Sequence, residues 1–111
     1  MRAGFSDVAT VPPELRQQAD FARQDLASRL GIDQRSIQIQ EARRVTWPSG
    51  AIGCPQPDLS YTQALVPGSR ITLRSGGETF FYHAGGDGQP FHCPSERAQS
   101  PLDAEPEAEK Y

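Results

Sequence analysis

No apolar run in this chain of 111 residues approaches the ~20 residues a helix needs to cross a bilayer, so no membrane-spanning helix is expected. The start, Met1-Arg2-Ala3-Gly4, has no hydrophobic signal core. Localisation is therefore expected to be extracytoplasmic (periplasmic or secreted) if a leader has been removed, and cytoplasmic otherwise. Histidine is scarce: only His83 and His92 occur, and Cys54 and Cys93 are the two cysteines. No Cys-x-x-Cys and no His-x-x-x-His spacing is present, which removes the zinc frameworks a sequence can announce. The set Cys54, His83, His92 and Cys93 has suitable ligand types for zinc. Adjacent His92 and Cys93, however, point to opposite sides of a strand, and no metal or cofactor is expected.

Other chemistries are also missing. There is no Gly-x-Ser-x-Gly elbow and no His-Glu-x-x-His helix. The glycines at 76, 77, 85, 86 and 88 precede no helix, so they fit hairpin turns better than a phosphate loop or dinucleotide fingerprint. No paired acid and base stands at a telling spacing, and an enzyme is not expected. Cys54 lies in a proline-bounded loop away from any helix N-terminus that would activate a thiolate. Nor is there a basic stripe: 11 basic against 14 acidic side chains give a net charge of −3. The arginines before position 45 alternate with acids, as on a solvated helix face, and nucleic acid is not an expected partner.

What the chain does contain is punctuation and period. Its length bounds it to one domain, divided here into a mobile lead-in at 1–11, an ordered unit at 12–94 and a disordered acidic tail at 95–111. Pro12-Pro13-Glu14 suits a helix start, with Thr10 as a cap. Leu15, Ala19, Ala22, Leu26 and Leu30 then recur on one helical face, with Phe21 at its border, and Gly31 follows as a left-handed terminator. From Ser36 to Trp47 the chain alternates, with Ile37, Ile39, Val45 and Trp47 on one parity. Glu41 and Arg43 interrupt it, which predicts a long strand with a bulge or two short strands. Residues 48–60 read as loop, and residues 61–66 as the next strand. Pro67-Gly68 reads as a turn, residues 70–74 and 78–83 as strands, and residues 91–93 as a short last one. The predicted class is α+β: an N-terminal amphipathic helix packed on a four- to five-stranded antiparallel meander in two layers.

The string Thr46-Trp47-Pro48-x-Gly50-x-x-Gly53-Cys54-Pro55-x-Pro57, followed by Tyr61-Thr62-Gln63-Ala64, Pro67-Gly68, Phe81-Tyr82-His83 and Cys93, resembles a family of small bacterial domains of uncharacterised function. Many of its members look like exported proteins or lipoproteins. The likeness covers about residues 20–95. Ala51-Ile52 stands where that family usually has serine and leucine, and Ser69 where it usually has tyrosine. The resemblance implies a shared fold and a Cys54–Cys93 pair, and it implies no reaction. Such a bond would close the meander and contribute about 3 to 4 kcal/mol in the chain-entropy picture. Two reduced, half-buried thiols are the alternative.

Two functional readings follow. The first is a disulfide-stapled, non-catalytic binding module whose partner is another protein or a small ligand. Its expected contact residues are Trp47, Pro48, Pro55, Gln56, Pro57, Tyr61 and His83, and a monomer is expected. Trp47 could instead be a core anchor, and His83 a strand residue bonded to a neighbouring loop. The second is a protease inhibitor, because a helix followed by an antiparallel sheet looks like the cystatin arrangement. Residues 63–68 are near that family's Gln-x-Val-x-Gly hairpin, though one residue too long, and Trp47-Pro48 precedes the segment instead of following it. A small hydrolase using a histidine or carboxylate in the concave sheet face ranks behind both.

Overall fold

Proline at the first helical positions starts the helical segment. In the computed structural model, which describes residues 11–86 and 88–102, a single 3-10 turn at Pro13–Leu15 leads directly into helix α1, Arg16–Leu30. The amide of Leu15 bonds the Pro12 carbonyl at 2.9 Å. Thr10, the expected cap, lies outside the described residues. Gly31 ends α1 with φ of 69°, its N–H donating to the Ala27 carbonyl. Leu15, Ala19, Ala22 and Leu26 are buried as the stripe requires, and Phe21 is half-buried beside them. Leu30 departs from the stripe and is 42% exposed in the last turn, while Ala27 is buried instead. Val11, assigned from composition to the lead-in, is part of the core.

Four antiparallel strands follow in the order β1-β2-β3-β4: β1 at Gln38–Trp47, β2 at Val66–Ser75, β3 at Glu78–Gly85 and β4 at Phe91–Cys93. The β2–β3 turn is the Gly76-Gly77 pair, with φ of 60° and 82°, joining the facing residues Ser75 and Glu78. Both positive torsions match the right-handed twist of a two-residue hairpin and strain most other residues. The architecture is the predicted α+β meander, with two differences of detail.

First, β1 is one strand with a bulge. Ile39 faces Leu73 and Glu41 faces Thr72, so Gln40 is the extra residue. A one-residue insertion moves everything after it to the other face. Ile39 and Ala42 therefore point toward α1, whereas Val45 and Trp47, given the same parity as Ile39 by alternation alone, point away from it. Second, residues 61–65 are not strand and Pro67-Gly68 is not a turn. Both residues lie inside β2, opposite Thr46 and Val45. Gly68 is needed for close approach, since a Cβ there would stand 2.8 Å from Trp47 Nε1 and collide with the Ala84 carbonyl. Proline lacks the amide a ladder uses, but as the second residue of the strand it is tolerated.

The main core lies between α1 and one sheet face, where Leu15, Ala19, Ala22 and Leu26 meet Ile39, Ala42, Ile71, Leu73 and Tyr82. Ser69 belongs to this face too. It is buried in β2, its hydroxyl donating to Gln18 Oε1 at 2.5 Å. On the opposite face the described residues cover the sheet only near the Trp47 end. Trp47, His83 and Cys93 are buried there beneath residues 48–54. Residues 95–102, grouped with the tail on composition, are described and docked. Gln99 N–H donates to the Gly53 carbonyl at 2.8 Å and Leu102 N–H to the Thr46 carbonyl at 2.9 Å, and Pro101 is buried. The remainder of the expected acidic tail lies outside the described residues.

Candidate functional site

The chain leaves β1 at Trp47 and returns to the sheet at Val66, and the intervening loop is tied to the scaffold at several points. The indole of Trp47 donates to the Ala84 carbonyl at 3.0 Å and stacks on the His83 ring at 4.4 Å between centroids. Gly53 lies directly over this pair. A Cβ at Gly53 would stand 2.6 Å from Trp47 Cε3 and 3.0 Å from His83 Nδ1, so glycine lets the loop backbone rest on the rings. The Gly50 amide donates to the Thr62 carbonyl at 2.8 Å, closing the loop across its base. Cys54 and Cys93 are joined by a disulfide, with Cα atoms 5.9 Å apart. The pair implied by the resemblance is therefore present, and it holds the loop to the last strand.

His83 sits at the centre of this support. Its Nδ1 is 2.8 Å from the carbonyl of Ile52, which only accepts, so Nδ1 carries the proton. Nε2 is then left bare, and it is buried with no hydrogen-bond partner among the described residues. Burial lowers the pKa of His83 to about 4, although the bond to the Ile52 carbonyl favours the charged form; Arg70 adds repulsion. The ring is neutral at ordinary pH. Ile52 itself has φ of 56°, a left-handed torsion uncommon for a β-branched residue. Its Cδ1 lies against Gly85, where an added Cβ would be 2.7 Å away.

The expected contact residues divide into two groups. Gln56 and Pro57 are exposed, while Pro48, Pro55 and Tyr61 are half-buried. Tyr61 stiffens the outer loop by accepting the Gln56 amide on its hydroxyl at 3.0 Å. Trp47 and His83 have no exposed surface, and they act on the loop from below. Two leucines were not among the expected residues: Leu59 is 55% exposed and Leu65 61%. The signal for them is negative. Leu59 is a lone large apolar residue in a polar, proline-rich segment with no period that could bury it, whereas Leu65, between Ala64 and Val66, reads as part of a strand that does not form there.

Elsewhere the polar chemistry is structural. The Tyr82 hydroxyl donates to Asp25 Oδ2 at 2.6 Å, and Arg29 Nε donates to the same oxygen at 2.6 Å, fastening α1 to β3. Burial pulls the Asp25 carboxyl up, but these two hydrogen bonds outweigh it and hold it below the usual range. The Tyr82 phenol is raised by burial and by Asp25. The His92 ring lies 5.6 Å from that of Tyr82 on the helix side, away from His83. The two sulfurs are bonded to each other, and among the described residues no group of three or more histidine, cysteine or acidic side chains could hold a metal ion. Residues 63–65 are loop and residues 66–68 open β2, so this segment forms no hairpin tip of the cystatin kind, although the order of helix and antiparallel sheet is as expected.

A family model described as a domain of unknown function, DUF8738, matches residues 19–93. The chain belongs to the DUF8738 family. The matched span begins at Ala19 in α1 and ends at Cys93, so the DUF8738 region takes in the loop, the sheet and both halves of the disulfide. The strap at 94–102 lies beyond it. No curated protein and no solved structure matches the chain.

Proposed function

We propose that this DUF8738 domain is a non-catalytic binding module of a bacterial exported protein, and that it presents residues 55–65 to a partner protein. The observation that carries this reading is the pair of exposed leucines, Leu59 and Leu65, on a loop pinned by a disulfide, a stacked Trp47–His83 pair and the Gly50–Thr62 bond. Burying one leucine against a partner stabilises a complex by about 1.5–3 kcal/mol. A loop already held in one conformation loses little entropy when it docks. The disulfide supports placement in an oxidising compartment. A bonded cysteine pair and a buried neutral histidine offer no activated nucleophile or accessible base, which favours binding over catalysis.

The test is photo-crosslinking in cells that make the protein, with a photoreactive residue at position 59 or 65, and at position 24 on the outer side of α1 as a control. A discrete adduct from both loop positions and none from position 24 is expected. Changing the remaining leucine to serine should abolish it. Loop positions that give no adduct, or the same adducts as position 24, while the disulfide is intact would overturn the proposal.

A further inference from the structure

The uncovered part of the outer sheet face carries a cleft of about 540 Å³, lined by Glu41 and Arg43 of β1, Arg70 and Thr72 of β2 and Phe81 of β3. Glu41 is shared between both arginines, 3.7 Å from Arg43 Nε and 3.6 Å from Arg70 Nη2. Among the residues lining the cleft, one half-exposed carboxylate therefore serves two guanidinium groups, and that of Arg70 also lies 6.0 Å from the centre of the Phe81 ring. Arg74 follows on the same face of β2, bonded to the neutral Thr79 hydroxyl at 3.0 Å. The strap delivers the chain to this face. Gln99 is bonded to Gly53, above the Trp47–His83 pair, and Leu102 is bonded to Thr46 at the edge of β1, where the backbone turns. Residues 103–111 come next in the sequence and lie outside the described residues. Asp103, Glu105, Glu107 and Glu109 alternate there with Ala104, Pro106 and Ala108. In an extended backbone that alternation sets all four carboxylates on one side.

We propose that the acidic segment 103–109 folds back over the outer sheet face, its carboxylates joining Glu41 on Arg43 and Arg70 and closing the cleft. The reach is sufficient. Arg43 is three positions from Thr46 along β1, about 10 Å, and nine extended residues span about 30 Å. Charge selects the face. On the helix side of the same edge Ala42 is packed in the core under α1, and Arg44 already faces Glu14 at 3.7 Å. Exposed ion pairs are individually weak, but a tethered segment meets its site at an effective concentration of about millimolar. None of the loop residues 55–65 takes part, so this assignment and the binding loop can fail separately.

The experiment compares amide NMR spectra of the oxidised full chain with those of a full chain carrying Asp103→Asn, Glu105→Gln, Glu107→Gln and Glu109→Gln together. Shift differences are expected at Arg70, Thr72 and Phe81 and none at Ala22 and Leu26. They should collapse in 1 M NaCl, where the Debye length is about 3 Å, and stay constant on tenfold dilution. Arg43→Gln and Arg70→Gln should each shrink the differences at Thr72 and Phe81 by about half or more, since each removes one partner of the carboxylates. Arg44→Gln, an equal loss of charge on the helix side, should leave them unchanged. The neutralised chain keeps every arginine, so its comparison decides the matter even if an arginine variant fails to fold. The proposal is overturned by differences confined to residues 95–111 or centred on α1, by differences that survive high salt, or by Arg44→Gln acting as strongly as Arg70→Gln. Differences that fade on dilution would also overturn it, because they would place the segment on a second copy of the chain.

Discussion

Protonating His83 would place a charge among the Trp47 ring, the Phe81 and Phe91 rings and Arg70, with one carbonyl to receive it. The pKa of about 4 in the folded protein lies below the ordinary histidine value of 6.5, so the unfolded chain takes up the proton first. The contribution to stability is complete above pH ~6.5 and is lost progressively as pH falls through the folded value. The loss across that window is on the order of 3 kcal/mol, and burial pushes His92 down in the same sense. Denaturant unfolding at pH 7.5, 5.5 and 4 should show it. His83→Asn keeps a donor for the Ile52 carbonyl and removes the titration, so it should flatten most of the slope. A wild-type protein equally stable at pH 7.5 and pH 4 would show that the ring is not buried neutral. The strand position of His83 was legible from local alternation. Its place beneath Trp47 was not, because Gln40 reverses the parity of β1 between Ile39 and Trp47.

Pro67-Gly68 carries a comparable lesson at the level of elements. Proline followed by glycine is a turn signal because each sets a torsion. At Gly68 the glycine serves another need, the absence of a side chain where β2 passes under the Trp47 indole and over the Ala84 carbonyl. The two uses look the same in sequence, and the residues that tell them apart are far away along the chain. Gly68→Ala should therefore destabilise the domain by about 2–3 kcal/mol, as overpacking of rigid neighbours does. Gly76→Ala, with open space but positive φ, should cost only the left-handed penalty of about 1–2 kcal/mol. Thermal melts of the two variants compare them directly, and a Gly68→Ala protein no less stable than Gly76→Ala would contradict the packing assigned here. The helix, in contrast, was legible nearly residue by residue, because its period, its prolines and Gly31 are local signals. The strap at 94–102 was not, since two backbone hydrogen bonds and one buried proline leave little trace in composition. A chain ended at residue 94 should lose about 1–3 kcal/mol relative to one ended at 102, from two hydrogen bonds of ~1 kcal/mol each and the proline contact. Equal denaturation midpoints for the two would mean the strap contributes nothing.

For the whole molecule, the sheet supports two unequal packed layers, and the disulfide belongs to the smaller. The larger joins α1 to Ile39, Ile71, Leu73 and Tyr82; the smaller gathers Trp47, His83 and Cys93 under the loop. Cys54 and Cys93 are separated by 39 positions, so opening the bond should lower global stability by about 3 to 4 kcal/mol through loop entropy. The local effect should be larger than the global one. Once Cys54 is released, the loop over Trp47 keeps the Gly50–Thr62 bond, the Ile52–His83 bond and the Gly53–Gln99 bond, each worth ~1 kcal/mol. Under reducing conditions at 25 °C, hydrogen exchange should therefore quicken first at residues 50–54 and 99–102, while the amides of Ile71 and Tyr82 stay protected by the helix-side core. Alkylation followed by intact mass would confirm that both thiols had been freed in the sample measured. If loop and helix-side amides lost protection together, the domain would unfold as one unit and the loop would have no separate stability. If the loop opened alone, reduction would silence the proposed binding surface while leaving the packing of α1 on the sheet in place.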